Sequence, residues 1–326
     1  MMSITIKDIS RETNLAVSTI SKYINGGNVR TKNAKAIEAA IAKLGYRPNI
    51  MAQSLRNSRS YTVGIIVPTM NDPFCSKLVE QIEQMLQLEG YSCALCCYHS
   101  KTAIRENTIE FLLQKNVDAI LFLADYQIQS KELYIPDTRV PLIILNRYLE
   151  GIPADFILPD IAGGIYTCTE YLIKHQHKKI ALMTACRQND SEDNIGYRRA
   201  HEDYHLTYHE DYTVHSTDRF LALLNSDTPP DSLIISDYQL YTDAVSTFFS
   251  MGLEIPDEFS LIACDNSDFG QIMMPPITVL DYPIKEIVNK TIRILSQRLN
   301  GDFSAFPCLF RLKTQLHVRD SVLDCR

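Results

Sequence analysis

From Tyr61 onward the chain repeats one pattern: an apolar run of strand length, then a longer stretch with apolar residues at helical spacing. The runs are YTVGIIVP, YSCALCCYH, DAILFLAD, PLIILNR, KKIALMTA, DSLIISD, FSLIACDN and ITVLDYP. Most are apolar without alternation, as in strands buried on both faces, and helical stretches near 73–89, 105–114 and 163–175 lie between them. Such alternation predicts an α/β body of parallel sheets covered by helices. With 326 residues in all, a body this long divides into two lobes with a cleft between them.

The first sixty residues are built differently. They hold ten Lys/Arg against three acids, a charge of +7, while the rest carries −14. A basic head on an acidic body points to a head that meets a polyanion. Thr5 followed by Asp8 forms a capping signature for a first helix around Ile6 and Ile9, which Asn14 ends. A second helix over Val17–Ile24 buries Ile20 and Ile24 and leaves Val17, Ser18, Ser21 and Lys22 outward; Asn25-Gly26-Gly27 stops it. A third, over 32–44, buries Ala36, Ile37, Ala40, Ile41 and Leu44, and Gly45 ends it. This is the helix-turn-helix plan, and small hydroxyls, a methyl group and one cation suit a major-groove floor. A helical module that binds protein is the alternative on pattern alone. After it, 49–60 has a linker's polarity yet carries Ile50, Met51, Ala52 and Leu55, which a linker does not need.

TIKDISRETNLAVSTISKYINGG, AIAKLGYRPNIMAQSLR and VGIIVPTMNDPF together resemble the lactose/galactose-repressor (LacI/GalR) family of transcription regulators, over essentially the whole chain. The resemblance implies a head at 1–47, a hinge helix and linker at 48–60, and a two-lobed body of the periplasmic-binding-protein type (type I) at 61–326. One lobe would take about 61–160 and 283–310, the other about 161–280 and 311–326, with crossings near Asp160, Leu280 and Arg311. It implies a DNA face of Thr5, Val17, Ser18, Thr19, Ser21, Lys22 and Asn25 in the head, and of Asn49, Ala52, Gln53, Leu55 and Arg56 in the hinge. Leu55 takes the position of a wedge pushed between two base pairs, which kinks the duplex and brings more protein to phosphate. Two subunits would meet a pseudo-palindromic operator as a homodimer. The chain departs from the family at Lys22, where an Arg fork is common, and at Ala16, where a Ser often touches phosphate; a lysine offers only a point charge.

Ligands of open α/β sheets bind beyond the carboxyl ends of the strands. Those ends here are Pro68–Asn71, Ala124-Asp125, Asn146-Arg147, Ser236-Asp237 and Asp265-Asn266. Their amides, hydroxyl and carboxylates suit a polyol, although Asp160 and Asp237 are also placed to cap the helices that follow. By position, the resemblance implies an effector site of Phe74, Asn146, Arg147, Asp193, Ser236, Asp265 and Tyr282. Asp193 stands where the family commonly has an Arg, and a carboxylate there repels an anion. A neutral or cationic effector is therefore expected, with a neutral sugar the first expectation.

No nucleophile elbow, P-loop or dinucleotide fingerprint is present, so an enzyme is not expected. Cys93, Cys96 and Cys97 fall on opposite faces of one apolar strand, which predicts packing rather than metal binding. His201, His205 and His209 are expected on a solvated helical surface, and no metal or cofactor is expected. The polar N-terminus has no signal-peptide pattern and no run could span a membrane, which favours the cytoplasm. The closing HVRDSVLDCR is expected to hold the last strand, with no heptads behind it to make a tetramer. The rival readings are a solute- or sugar-binding protein without DNA specificity, and a sugar-processing enzyme.

Overall fold

The structure, a computed structural model, describes residues 4–24, 27–46, 59–98, 108–126, 128, 130, 133, 135, 140–264 and 268–324. Its contacts divide it into two units, Met1–Ser60 and Tyr61–Arg326.

The first unit holds three helices, α1 (Ile6–Thr13), α2 (Val17–Ile24) and α3 (Thr31–Leu44). The capping signature is realised: the Thr5 amide donates to Asp8 Oδ2 at 2.9 Å and its hydroxyl donates to the same oxygen at 2.7 Å. These bonds, the hydroxyl's first, hold the Asp8 carboxyl below its usual range, and Arg11 adds to the effect. Asn14 ends α1 at φ 57°, in the left-handed region that Asn tolerates. Ile9, Ile20, Ile37, Ala40 and Tyr46 form the core, with Ile24, Ile41 and Leu44 packed against it. Ala36, expected inside, is exposed. One residue is about 100° of helix, so with Ile37 centred on the core Ala36 turns to water.

The second unit contains two six-stranded sheets. Chain order gives β1 (Thr62–Val67), α4 (Pro73–Leu88), β2 (Ser92–Cys97), α5 (Thr108–Gln114), β3 (Ala119–Leu123), β4 (Leu142–Leu145) and β5 (Asp155–Pro159). It continues with α6 (Ile161–Lys174), β6 (Ile180–Met183), α7 (Glu192–Asp203), β7 (Thr213–Val214), α8 (Thr217–Leu224), β8 (Ser232–Ile235) and α9 (Tyr238–Met251). Last come β9 (Ser260–Cys264), α10 (Phe269–Ile272), β10 (Thr278–Asp281), α11 (Ile284–Leu299), β11 (Leu309–Leu312) and β12 (Gln315–His317). The first sheet runs β11-β5-β4-β3-β1-β2 and is parallel throughout; the second runs β12-β10-β9-β8-β6-β7, with only β12 antiparallel. Each sheet has an apolar core on both faces, as its unbroken runs require. In β2, Cys93 and Cys97 pack into the core on one face of the first sheet, and Cys96 into that on the other.

The chain passes between sheets three times: at Asp160 after β5, at Tyr282-Pro283 after β10, and at Lys313-Thr314 between β11 and β12. The first sheet thus keeps β11 through Leu312. The last strand is Gln315–His317, so HVRDSVLDCR mostly follows it rather than forming it. That tail is held by side chains instead: Ser321 Oγ donates to the Leu261 carbonyl at 2.6 Å and accepts from the Thr278 amide at 2.8 Å.

β5 begins with a fully buried carboxylate, which explains why its sequence does not read as a strand. Arg298 on α11 meets Asp155 with two parallel bonds, Nε to Oδ2 and Nη2 to Oδ1, both 2.8 Å. Its other nitrogen donates to the Asp302 carbonyl at 2.6 Å, and the Cys308 amide donates to Asp155 at 2.8 Å. Every charge in this group is matched, as burial demands.

Candidate nucleic-acid interface and ligand cleft

On the head, α2 exposes Val17, Ser18 and Lys22, with Thr19 and Ser21 half-buried beside them. No acid lies on this helix. Gly27 donates its amide to the Lys22 carbonyl at 2.7 Å, and a Cβ there would run into the Lys22 side chain and that carbonyl. The helix is thereby stopped while Lys22 stays at its surface. Thr5 is exposed but holds the α1 cap with both its donors. Asn25 and the hinge residues Asn49, Ala52, Gln53, Leu55 and Arg56 lie outside the described residues.

In the body, both sheets present the carboxyl ends of their strands to one cavity of about 880 Å3. Six expected effector residues, Phe74, Asn146, Arg147, Asp193, Ser236 and Tyr282, line it together; Asp265 lies outside the described residues. Phe74 opens α4, whose N-cap Asp72 accepts from the Phe74 amide at 2.7 Å. Its ring meets Tyr282, on the crossing after β10, edge to face at 5.2 Å between centroids. The Tyr282 hydroxyl is pushed well above its usual range by burial, with Cys264, Asp193, Asp72 and Asp237 adding to the shift.

Asp193, on the first turn of α7, is held at the cavity's edge by two hydroxyls. Thr184 Oγ1 donates to its Oδ2 at 2.6 Å and Ser236 Oγ at 3.1 Å. Burial raises its pKa above the usual carboxylate value; these two bonds oppose the shift, and the charges of Glu192 and Asp237 add to it. Burial also raises Asp237, against the backbone donors of Leu240 and Gln239. Asp237 is the N-cap of α9, accepting from Leu240 at 2.9 Å, and Asp160 caps α6 through Gly163 at 3.0 Å.

Asn146 and Arg147 are partly committed to the protein. Asn146 adopts φ 75° and its amide donates to the Ala124 carbonyl at 3.0 Å, bracing the ends of β3 and β4. Arg147 donates to the carbonyls of Asp125 and Tyr126 and, across the cleft, to Gln188 Oε1 at 3.3 Å. Three contributors were missed from sequence. Thr184 directly follows Met183, the last residue of β6, so the strand-end rule should have found it. Gln188 sits in a loop with no periodic signal. Arg311, on β11, reaches the cavity and pairs with Glu192 at 2.5 Å, which its place in sequence does not foretell.

The histidine expectation needs correction at His201. It is buried, with Nδ1 at 2.9 Å from the Tyr197 carbonyl and Tyr208 edge-on to its ring. Burial lowers its pKa, so it is a core residue. Among the described residues no cluster of three or more His, Cys, Asp or Glu could hold a metal ion, and no helix is long and apolar enough to cross a membrane.

Comparison with known proteins matches three family models along the chain. Residues 5–49 match the family model for bacterial regulatory proteins of the lacI family. Residues 60–219 match that for periplasmic binding proteins and the sugar-binding domain of the LacI family, and 169–322 match a periplasmic-binding-protein-like domain. The chain is 25% identical over 334 residues to the HTH-type transcriptional repressor PurR of Aliivibrio fischeri (strain MJ11), covering 98% of each. It is 24% identical to the probable HTH-type transcriptional regulator EndR of Paenibacillus polymyxa, covering 99% of each. The fold is that of the lac repressor dimer bound to operator and the anti-inducer ONPF, with a TM-score of 0.85 at 18% identity over 99% of this chain and 100% of that one. The regulator CelR in complex with cellobiose superposes at 0.67, with 23% identity over 98% and 99%. These relatives are regulators, not enzymes. The chain belongs to the LacI family of DNA-binding transcriptional regulators.

Proposed function

We propose that this repressor binds a pseudo-palindromic operator as a homodimer, and that a small carbohydrate without negative charge sets its affinity. The acid-free outer face of α2 carries the reading: Val17, Ser18 and Lys22 offer a methyl group, a hydroxyl and a cation to a major groove, with Thr19 and Ser21 beside them. Thr5, Asn25 and the hinge residues Asn49, Ala52, Gln53, Leu55 and Arg56 extend that contact, with Leu55 as a minor-groove wedge. A second copy is supported by apolar side chains in water on the body: Leu88, Phe249, Ile272 and Met274 are 77–95% exposed. Heads 1–47, linker 48–60 and lobes divided at the three crossings are the working units, in a cytoplasmic protein.

The effector reading rests on the cleft. Ser236, Asn146 and Asp193 supply hydrogen-bond partners for ring hydroxyls, and Phe74 with Tyr282 supplies an apolar wall. Arg147 stands at the rim. A neutral sugar is the simplest ligand that fits, and DNA and an inducing sugar must weaken each other's binding by the same factor.

Selection of bound duplexes from a random DNA pool at two salt concentrations tests the DNA half. The expected result is a palindrome with a fixed centre. Steep salt dependence without sequence enrichment would mean phosphate contact alone and would defeat the operator reading. Sugars that shift affinity for the selected duplex then test the effector half.

A further inference from the structure

The ion balance of the cleft narrows its ligand further than hydroxyl-binding chemistry does. Among the described residues two cations line it, and both are already engaged. Arg311 pairs with Glu192, while Arg147 donates to the carbonyls of Asp125 and Tyr126 and to Gln188. Asp193 is different. Its Oδ2 takes two neutral hydroxyls, its Oδ1 accepts no hydrogen bond among the described residues, and the charges nearest it, Glu192 and Asp237, have its own sign. Close by is the Tyr282 ring, packed edge to face with Phe74; Asp193, Asp72 and Asp237 all act on the Tyr282 hydroxyl.

A half-buried carboxylate that meets only hydroxyls and charges of its own sign is unfavourable, and a ligand cation relieves it. An aromatic face beside it attracts the same charge. A metal ion does not fit, because no group of three or more ligating side chains is assembled among the described residues. We infer that the effector carries a protonated amine, so that the cleft takes an amino sugar in preference to its neutral counterpart, with the amine on Asp193 and the ring against Phe74 and Tyr282. This rests on the carbohydrate reading above and refines it. The ligand supplies the charge that the chain withholds.

The test uses full-length protein and matched triplets of gluco-, galacto- and manno-hexoses: the neutral sugar, its 2-amino form and its N-acetylated 2-amino form. Calorimetry at pH 7 and low salt gives the affinities. The expected result is at least tenfold tighter binding of one amine than of its neutral partner. N-acetylation, which keeps the nitrogen and removes the charge, should abolish the preference, as should Asp193→Asn. The acetylated control needs no variant, so a poorly folding Asp193→Asn leaves the experiment decisive. Neutral or acetylated sugars that bind as well as the amines would overturn the inference and leave the carbohydrate reading standing. No binding by any member of the panel would overturn both.

Discussion

Asp193 shows how one side chain can be read for stability and for function at once. Its carboxyl titrates above the usual carboxylate value of 3.8 in the folded protein, chiefly because burial disfavours the charge. The folded state therefore holds a proton that the unfolded state has released, and stability falls as pH rises from the unfolded value through the folded one. Below that window the group is neutral in both states and costs nothing. Each unit of elevation is worth about 1.4 kcal/mol above the window. Asp193→Asn keeps an acceptor for Thr184 and Ser236 but cannot ionise. Urea unfolding from pH 3.5 to pH 7 should show the variant gaining on the wild type as pH rises. Curves that stay parallel would mean that Asp193 is solvated as in the unfolded chain. At this scale the sequence was informative where a rule of placement applied: Asn146, Arg147 and Ser236 end strands and reach the cleft, as do Phe74 and Tyr282, which the family resemblance implied. It was silent on Arg311 and Gln188, because their proximity arises from the sheets' arrangement and not from spacing. His201 misled because helical spacing alone cannot say which side of a helix is wet.

Elements bring these side chains into register, and the tightest junction is between α6 and α7. Gly196 on α7 lies directly over α6: a Cβ at this position would overlap the Ala162 carbonyl oxygen and press on the Tyr166 backbone nitrogen. Backbone cannot swing aside as a side chain can, so the two helices must separate. Gly196→Ala should destabilise the protein by about 1–3 kcal/mol, the range typical of overpacking, despite alanine's better helix propensity. Because α7 also carries Asp193, the same variant should weaken effector binding. Chemical denaturation with a calorimetric titration would check both, and an unchanged midpoint would show that α6 and α7 have room to spare. Strands with unbroken apolar runs were legible, since no other element buries both faces in so few residues. β5, β11, β12 and the two-residue β7 were not. β5 hides a carboxylate that Arg298 and the Cys308 amide, both far along the chain, make tolerable inside. β11 alternates between exposed and half-buried residues at a sheet edge, and β12 is three residues long.

At the scale of the whole body, the two lobes are held across the cleft by polar ties as well as by the three crossings. Arg311 on β11 meets Glu192 on α7 at 2.5 Å, Lys77 on α4 meets Asp268 before α10 at 3.6 Å, and Arg147 reaches Gln188 at 3.3 Å. All four charged partners of the ion pairs are at least a third exposed except Glu192, at 32%. Each pair is then worth at most about 1 kcal/mol and is screened by salt. Such weak ties suit a cleft that must open to admit a ligand: about 1 kcal/mol changes the ratio of two states roughly fivefold. Glu192→Gln combined with Asp268→Asn removes both ion pairs while keeping side-chain size. At low salt this double variant should scatter X-rays with a larger radius of gyration than the wild type and bind effector several-fold more weakly, since fewer molecules are closed. Salt at about 0.5 M should bring the wild type toward the variant, because exposed ion pairs weaken as salt screens them. Identical scattering curves at low salt would show that packing at the crossings, and not charge across the cleft, sets how far the lobes stand apart.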